Sequence, residues 1–248
     1  MPPDSYDRFM GVYSVQLAPQ LADLAGIASG VRVLDVGCGP GALSTELVGR
    51  LGPGAVTAVD PSEPFVAAAR ERLPGVTVER ASAEELPFPD DAFDAALAQL
   101  VVHFMTDPVA GLAEMRRVTL PGGIVAACVW DHAGRQSPLS PFWDAARLLE
   151  PDVDDESGLA GAREGHLAEL FDAAGLREVE ATTVTASVEH PTFEEWWEPF
   201  TFGIGPAGAF VARLDPDREA ELAERCRERL PDAPFTITAR AWAARGRA

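Results

Sequence analysis

The sequence predicts an α/β fold built on a doubly wound, mostly parallel sheet of seven strands. Apolar runs of strand length alternate with amphipathic helical patterns from residue 31 to residue 130. Most of these runs are continuously apolar, which is typical of parallel strands that helices cover on both faces. Two later runs alternate between apolar and polar residues, which is typical of further strands.

The first part of the chain supplies five of the seven strands. Residues 1–30 are predicted to form an N-terminal helical lead-in, with apolar side chains on a rough helical stripe. Strands are predicted at 31–36, 55–60, 76–80, 92–99 and 123–130. Helices are predicted between them at 42–51, 63–73 and 108–119, where Ser62 can cap the second helix.

The remaining residues complete the sheet and add one long insertion. A helix over 165–174 precedes a strand at 177–188, and the last strand is predicted at 235–243. About forty residues separate these two strands, far more than a hairpin loop needs. We therefore predict an inserted helical lid at 191–230, between a core at 31–190 and a final strand segment at 231–248. The acidic run 150–156 is interpreted as a solvated loop.

Composition excludes several classes of partner. The formal net charge is −19 and all 20 basic residues are arginine, so we expect no nucleic-acid partner. No apolar stretch approaches the ~18 residues that cross a membrane, and no signal peptide is recognisable, so a cytoplasmic protein without a membrane partner is expected. The cysteines Cys38, Cys128 and Cys226 are far apart, which disfavours a disulfide framework or a zinc site.

One segment predicts a nucleoside site. The first strand ends in a turn that contains Gly37, Gly39 and Gly41, and the second strand ends in Asp60, 23 residues after Gly37. Glycines let the backbone approach a ligand without an intervening Cβ atom. A carboxylate at the end of the second strand accepts hydrogen bonds from ribose hydroxyls in nucleoside-binding α/β folds. We therefore expect an adenosine-like ligand.

Two further residues of this segment narrow the class of ligand. Pro40 removes an N–H donor from the position that a phosphate would use. Asp35, at the end of the first strand, adds negative charge close to the turn. Both features disfavour a diphosphate and favour a ligand with a cationic amino-acid end.

Four segments, in order along the chain, resemble the class I S-adenosylmethionine-dependent methyltransferases. They are Asp35–Gly41, Ala81–Phe88, Phe93–His103 and Arg117–Gly123. The resemblance is to the small-molecule type, similar to the ubiquinone/menaquinone biosynthesis methyltransferases. It implies a Rossmann-like fold, S-adenosyl-L-methionine as cofactor, and an antiparallel pair of last strands, so that the sheet is mostly parallel with one antiparallel edge strand.

The resemblance implies a set of cofactor-binding residues. Asp60 would accept the ribose hydroxyls, and Asp35 would bind the amino-acid end. Ser82 stands where the family usually has Asp, so the adenine contact would depend on the Ala83 N–H, and Glu84 would either join it or cap the following turn. The full expected set is Asp35, Gly37, Cys38, Gly39, Asp60, Pro61, Ser62, Ser82, Ala83, Glu84, Gln99 and Leu100.

His103 is the candidate catalytic residue, because it follows the fourth strand. A general base is needed only if the acceptor keeps its proton until attack, and an ordered structural histidine is the alternative. Asp131 and His132 are the second candidate pair. They lack a third ligand, so we expect no metal site.

Aromatic residues outside the core are the candidate acceptor-binding residues. These are Tyr13, Trp130, Phe142, Trp196 and Trp197. The alternative is that the aromatic cluster packs the lid onto the sheet, which applies to at least one tryptophan.

The sequence thus predicts a methyltransferase that moves a methyl group to oxygen, nitrogen or carbon of a small, partly apolar molecule. A non-catalytic S-adenosylmethionine-binding protein and a nicotinamide-dependent oxidoreductase stay open as alternatives. The oligomeric state also stays open, a homodimer included.

Overall fold

The computed structural model describes residues 3–248, and its side chains from Ser5 onward. Met1 and Pro2, which belong to the predicted lead-in, lie outside the described residues. The seven strands are β1 (Val33–Val36), β2 (Val56–Asp60), β3 (Thr77–Arg80), β4 (Phe93–Gln99), β5 (Thr119–Trp130), β6 (Arg177–His190) and β7 (Phe235–Arg247).

The seven strands form one sheet in the order β3-β2-β1-β4-β5-β7-β6. Strands β1 to β5 pair in parallel, whereas β7 runs antiparallel to both of its neighbours. The predicted α/β fold with an antiparallel pair at one edge is therefore confirmed. The reversed strand is β7, which lies one position inside the edge strand β6.

The helices surround the sheet. They are α1 (Pro3–Tyr6), α2 (Val12–Leu24), α3 (Ala42–Leu51), α4 (Glu63–Arg72), α5 (Pro108–Val118), α6 (Ser140–Leu149), α7 (His166–Ala173), α8 (Phe193–Trp197), α9 (Gly205–Ala212) and α10 (Pro216–Arg227). A π-helical turn, Asp7–Gly11, joins α1 to α2. No helix of residues 3–248 is long and apolar enough to cross a membrane.

Two apolar layers cover the faces of the sheet. On one face, Leu17 and Leu21 of α2 and Leu47 of α3 belong to the same buried cluster as residues of α6, α8, α9 and α10. On the other face, Leu112 of α5 and Phe171 of α7 pack against the strands. Because both faces are covered, the inner parallel strands β1, β2 and β4 are mostly apolar, whereas the edge strand β3 carries the polar residues Thr77, Glu79 and Arg80.

Helix α6 is absent from the sequence prediction, which left residues 140–149 unassigned. Phe142, Ala145 and Ala146 are buried, and this spacing gives one apolar helical face after Pro141 in the first turn. The Phe142 ring stacks on Phe200 with 4.6 Å between centroids and 4° between planes. The segment 191–230 therefore packs against helix α6.

Two glutamines of α2 fasten the N-terminal helix to the edge strand β6. Gln16 Nε2 donates to the Ser187 carbonyl at 2.9 Å, and the Ser187 N–H donates back to Gln16 Oε1 at 3.0 Å. Gln20 forms the same reciprocal pair with Thr185, at 2.7 and 3.1 Å. The side-chain amides thus use backbone groups that an open sheet edge would expose.

We predict that the double variant Gln16→Ala/Gln20→Ala loses about 2 kcal/mol of unfolding free energy, because four hydrogen bonds to the edge strand disappear. Urea denaturation measures this loss. Gln136→Ala is the control, because among the described residues the Gln136 side chain bonds only its neighbour's carbonyl, that of Arg135 at 3.2 Å. A double variant as stable as this control would show that the edge contacts do not stabilise the fold.

Candidate active site

The glycine turn after β1 is held against the end of β2 by its backbone N–H groups. The N–H groups of Gly37 and Cys38 both donate to the Val59 carbonyl, at 2.8 and 2.9 Å. The Gly39 N–H donates to Asp60 Oδ2 at 2.9 Å. Three consecutive donors are therefore used within the protein.

The rest of the turn adds no free donor. The Gly41 N–H donates to the Cys38 carbonyl at 3.0 Å, and Pro40 has no N–H. A dinucleotide site needs N–H groups that point at the pyrophosphate. Since residues 37–41 keep no N–H for a ligand, this turn lacks the feature that binds a pyrophosphate.

Gly37 and Gly39 of the turn both have positive φ angles, a backbone conformation that favours glycine. Gly37 has φ 72°, and a Cβ atom there would lie 2.4 Å from the Val101 side chain. Gly39 has φ 54°, and a Cβ atom there would meet no protein atom within 4 Å. Because Gly39 also lines the main cavity described below, its missing side chain leaves backbone open to a ligand.

Asp60 connects the turn to the loop after β2. Its Oδ1 accepts from the Ser62 N–H at 2.8 Å, while Oδ2 holds the Gly39 N–H. Burial raises the pKa of this carboxyl, and the two N–H donors act in the opposite direction. Each carboxylate oxygen retains acceptor capacity, so Asp60 can also accept hydrogen bonds from a pair of hydroxyls.

Two buried oxygen atoms at the carboxyl ends of β1 and β4 have no partner among the described residues. One is Asp35 Oδ1, whose companion Oδ2 accepts from Ser44 Oγ at 2.6 Å. The other is Gln99 Oε1, whose Nε2 donates to the Ser14 carbonyl at 3.0 Å. Burial raises the pKa of Asp35 to about 7. Both atoms are acceptors, so they suit a ligand that donates, such as an ammonium group.

Leu100, directly after β4, has an unusual backbone conformation. Its φ is 61°, in the left-handed region, and its N–H donates to the Cys128 carbonyl at 2.9 Å. Non-glycine residues in this region are strained by roughly 1–3 kcal/mol and are concentrated at functional sites. The strain thus occurs in a residue that lines the cavity.

One main cavity of about 340 Å³ lies at the carboxyl ends of β1, β2, β4 and β5. It brings together nine of the residues expected from the sequence, namely Gly37, Gly39, Asp60, Pro61, Ser62, Gln99, Leu100, His103 and Trp130. Its volume is within the range of about 300–1,000 Å³ that is typical of small-ligand sites. The cavity wall is mostly apolar, and among the described residues no arginine lines it.

The N-terminal helical segment and the predicted lid both contribute residues to the wall of this cavity. Tyr6, Phe9 and Met10 contribute from one side, and residues 204–207 contribute from the other. The sequence analysis did not assign these lid residues to the site, because they carry no polar group that indicates chemistry. Only the folded chain brings them over the ends of the strands.

Several expected cofactor residues lie outside the cavity wall. These are Asp35, Cys38, Ser82, Ala83 and Glu84. Cys38 is buried, which raises the pKa of its thiol.

The Glu84 side chain is engaged elsewhere. Its Oε1 accepts from the N–H groups of Thr106, at 2.7 Å, and Asp107, at 3.4 Å. The carboxylate therefore stabilises the distant loop before α5, which is neither the adenine contact nor the cap of the following turn that the sequence suggested.

The predicted acceptor-binding aromatics separate into two groups. Trp130 lines the main cavity, whereas Tyr13 and Trp196 line a second cavity of about 240 Å³. The Tyr13 hydroxyl lies 3.0 Å from His190 Nε2. The main cavity and this second cavity share part of their wall, including Phe9 and Met10.

Phe142 and Trp197 do not line either cavity. Phe142 is fully buried, and Trp197 stacks on it with 6.4 Å between ring centroids. The expected acceptor contact of Phe142 is therefore wrong, and the packing alternative describes both rings.

Two buried histidines lie close together in the wall of the main cavity. The rings of His103 and His132 are 5.9 Å apart, and both line the cavity. Burial lowers the pKa of His103 to about 3, with His132 contributing. Burial also lowers the pKa of His132 to about 4, although Asp155 and Asp131 act in the opposite direction. Both rings are therefore neutral near neutral pH.

The second catalytic candidate pair does not act as one unit. Asp131 accepts from the Gly134 N–H at 2.8 Å and from Arg240 Nε at 3.0 Å. His132, by contrast, has no hydrogen-bond partner on either ring nitrogen among the described residues. No group of three or more His, Cys, Asp or Glu side chains within the described range could hold a metal ion.

Glu156 is a site residue that the sequence analysis missed. Its side chain lines the main cavity, only 4% of the residue is exposed, and the Trp143 indole N–H donates to its Oε2 at 2.9 Å. Burial raises the pKa of Glu156 to about 7. The solvated-loop interpretation of 150–156 is therefore wrong for this residue. Nothing in an acidic run distinguishes Glu156, and only the unpredicted helix α6 explains its burial.

Known proteins match both the sequence and the fold. A family model described as a methyltransferase domain matches residues 34–127. The ubiquinone/menaquinone biosynthesis C-methyltransferase UbiE of Cupriavidus taiwanensis is 34% identical over 182 residues, which cover 66% of this chain and 74% of that protein. The YcgJ protein of Bacillus subtilis shares the fold, with a TM-score of 0.61 at 18% identity, over 93% of this chain and 97% of its own.

The chain therefore belongs to the class I S-adenosylmethionine-dependent methyltransferases, and the predicted family is confirmed. S-adenosylmethionine is the cofactor of this class. The chain spans 37% to 42% of the length of three other curated relatives. One of them is the 2-methyl-6-phytyl-1,4-hydroquinone methyltransferase 2 of Oryza sativa, 34% identical over 60% of this chain and 40% of that protein.

We predict that His103→Gln makes the protein less sensitive to acid. The folded-state pKa of His103 is about 3, below the unfolded value of about 6.5, so the unfolded chain binds a proton first as the pH falls. Between about pH 7.5 and about pH 5, this difference removes about 2 kcal/mol from wild-type stability.

Urea denaturation at both pH values measures this effect. The variant should lose about 2 kcal/mol less than the wild type between them. His166→Gln is the control, because His166 lies at the start of α7, outside the cavity wall. Equal acid losses in wild type and His103→Gln would show that the ring is not held neutral.

Proposed function

We propose that this protein transfers a methyl group from S-adenosylmethionine to oxygen, nitrogen or carbon of a small, largely apolar molecule. The observation that supports this most directly is the continuity of the main cavity. Its wall contains Gly37, Gly39 and Asp60, which we call the cofactor end, together with His103 and Trp130, which we call the acceptor end. Methyl donor and acceptor would therefore share one cavity.

The residues at the first end suit the cofactor. Asp60 would accept the ribose hydroxyls, next to Pro61 and Ser62, and the open backbone at Gly39 would let the nucleoside approach. Gln99 Oε1 belongs to a residue in the cavity wall, and Asp35 Oδ1 to one outside it; both are buried acceptors without a partner among the described residues. Gln99 would bind the ammonium of the amino-acid end, and Asp35 would do so directly or through water. When bound, S-adenosylmethionine supplies an electrophilic methyl carbon on a sulfonium sulfur.

The adenine contacts would come from the segment after β3. Ser82 and Ala83 would supply a hydroxyl and a backbone N–H, while the Glu84 carboxylate stays with the loop before α5. Cys38 and Leu100 would contribute backbone and apolar surface near the cofactor.

The other end of the cavity favours a neutral and partly apolar acceptor. Its wall is mostly apolar, and it carries no arginine among the described residues, so an anionic group would be buried without a counter-charge. The net charge of −19 disfavours a nucleic-acid acceptor. Relatives whose names refer to quinone biosynthesis and a hydroquinone support a small-molecule acceptor.

The main contribution of the protein's own residues would be orientation and exclusion of water. Trp130, Phe9 and the residues 204–207 would hold the acceptor beside the methyl donor in a mostly apolar cavity. Orientation of two reactants contributes much of the rate in such displacements. His103, held neutral by burial, would form a hydrogen bond with the acceptor. A ring with a pKa of about 3 is a weak base.

A nicotinamide-dependent oxidoreductase is disfavoured by the glycine turn, which keeps no N–H for a pyrophosphate. A non-catalytic binder of S-adenosylmethionine is disfavoured by the space at the acceptor end of the cavity.

We predict that Asp60→Asn weakens binding of S-adenosylmethionine by about tenfold or more, because charge-assisted hydrogen bonds to the ribose are lost. Isothermal titration calorimetry measures the affinity, and a labelled-methyl assay with phenols, amines and quinones measures transfer. Asp232→Asn, in an exposed segment, is the control. Unchanged affinity in Asp60→Asn would place the ribose elsewhere, and wild-type binding without transfer to any acceptor would favour the binder.

A further inference from the structure

The acceptor end of the main cavity contains a polar cluster that the proposed function leaves unexplained. We call Glu156, His132 and His103 the polar end of the cavity, because all three line it while most other residues there are apolar. His103 Nδ1 and both ring nitrogens of His132 are buried without a partner among the described residues. Buried polar atoms of this kind normally have a partner.

The Glu156 carboxyl is deeply buried, yet few hydrogen bonds offset the free-energy cost of burying it. Its hydrogen bond among the described residues comes from the Trp143 indole. Burying a carboxylate with a single neutral donor is costly. A neutral glutamine would accept the same indole bond at lower cost, so packing alone does not explain a carboxylate here.

Nearby charges are already paired with one another. Asp155, the neighbour of Glu156, forms an ion pair with Arg147, and Arg147 also binds Asp144 at 2.8 Å. Arg135 lies 3.4 Å from Asp144. A small space of about 10 Å³ is lined by Glu156, by both arginines and by His132.

On the other side of His132, Asp131 is compensated by Arg240. Glu156 lines the main cavity, and among the described residues its carboxyl has no cationic partner. A ligand in the cavity would therefore have to supply the further hydrogen bond that offsets its burial.

The donors and acceptors of the polar end suit a hydroxyl group. An ionised carboxylate only accepts, whereas each neutral imidazole has one N–H donor and one acceptor nitrogen. A neutral hydroxyl both donates and accepts, so it can satisfy Glu156 and a histidine N–H together. An ammonium group only donates and leaves that N–H without a partner, and a carboxylate ligand would repel Glu156.

Building on the proposed function, we propose that Glu156 is a catalytic residue that accepts the proton of a neutral hydroxyl acceptor, a phenol or an enol. The apolar wall would hold the rest of the acceptor, and His132 or His103 would donate a hydrogen bond to the same oxygen. The general base is then Glu156 rather than the histidine expected from the sequence.

The transfer balances in atoms and charge. The acceptor oxygen forms a bond to the methyl carbon with its lone pair, and the bond between methyl carbon and sulfur breaks with its electron pair going to sulfur. The hydroxyl proton passes to the Glu156 carboxylate. A sulfonium, a hydroxyl and a carboxylate thus become a thioether, a methyl ether and a carboxylic acid.

The acidities of the cavity groups agree with this assignment. Burial raises the pKa of Glu156 to about 7, while burial lowers the pKa values of His103 and His132 to about 3 and about 4. A general base works best with a pKa near the working pH. Asp155 next in sequence raises the pKa of Glu156 further, and the Trp143 indole lowers it.

The first test measures binding by calorimetry with S-adenosylhomocysteine present. The probes are para-ethylphenol, its methyl ether, para-ethylbenzoate and para-ethylbenzylamine. Wild type should bind the phenol about tenfold tighter than the methyl ether, as one charge-assisted hydrogen bond predicts. Glu156→Gln should lose this preference, and Asp154→Asn, an exposed carboxylate in the same loop, should keep it.

The second test measures methyl transfer. Glu156→Gln should lower kcat for para-ethylphenol by about a hundredfold or more, with KM changed much less, because a general base contributes on that scale. The loss should be much smaller for para-nitrophenol, a far stronger acid that is about half ionised near neutral pH and therefore depends less on a base. A merely structural role would reduce both rates equally.

A second variant keeps the carboxylate and changes only its acidity. Trp143→Phe removes the indole donor, which stabilises the ionised form of Glu156. The pH midpoint of kcat/KM for para-ethylphenol should therefore move upward. An unchanged or lowered midpoint contradicts Glu156 as the base.

The remaining outcomes separate this inference from the proposed function. Tighter binding of the amine or the benzoate than of the phenol, or no binding of the phenol, overturns the hydroxyl assignment while leaving the methyltransferase intact. Wild type that fails to bind S-adenosylhomocysteine overturns the proposed function itself.

Discussion

The site depends on one constraint, the attachment of the glycine turn to the end of β2. Val59 and Asp60 together accept the N–H groups of Gly37, Cys38 and Gly39, so the turn presents no donor to a ligand. The same contacts bring the Asp60 carboxylate to the wall of the cavity beside the open backbone of Gly39. The charge that the turn accepts in a ligand is thus limited by hydrogen bonds of its own N–H groups to the Val59 carbonyl and the Asp60 carboxylate.

The helical segments add walls to this site at the strand ends and deepen it into a cavity. Gln16 and Gln20 hold the N-terminal helix against the edge strand, while stacking of Phe142 on Phe200 holds the lid segment on α6. Helix α6 also carries Trp143, the donor to Glu156. Packing of the lid and placement of a buried carboxylate thus depend on the same helix.

The core and the cofactor end could be predicted because their signals are local. Parallel strands covered on both faces are continuously apolar, and the turn before α3 needs glycine at Gly37, where a Cβ atom would overlap Val101. The acceptor end could not be predicted, because it is assembled from distant segments. Phe142 was proposed as a pocket residue on its aromatic character, whereas it is buried in α6. Glu156 lies in an acidic run, and its burial depends on tertiary packing.

The central claim is that the turn binds a nucleoside with a cationic end and not a dinucleotide. Calorimetric titration of the wild-type protein with S-adenosylhomocysteine and with NADH tests it most directly. We expect S-adenosylhomocysteine to bind tighter than NADH by at least about a hundredfold, roughly 2.7 kcal/mol. Equal affinity, or tighter binding of NADH, would contradict the account, because a turn without free N–H groups could not then be what selects the ligand.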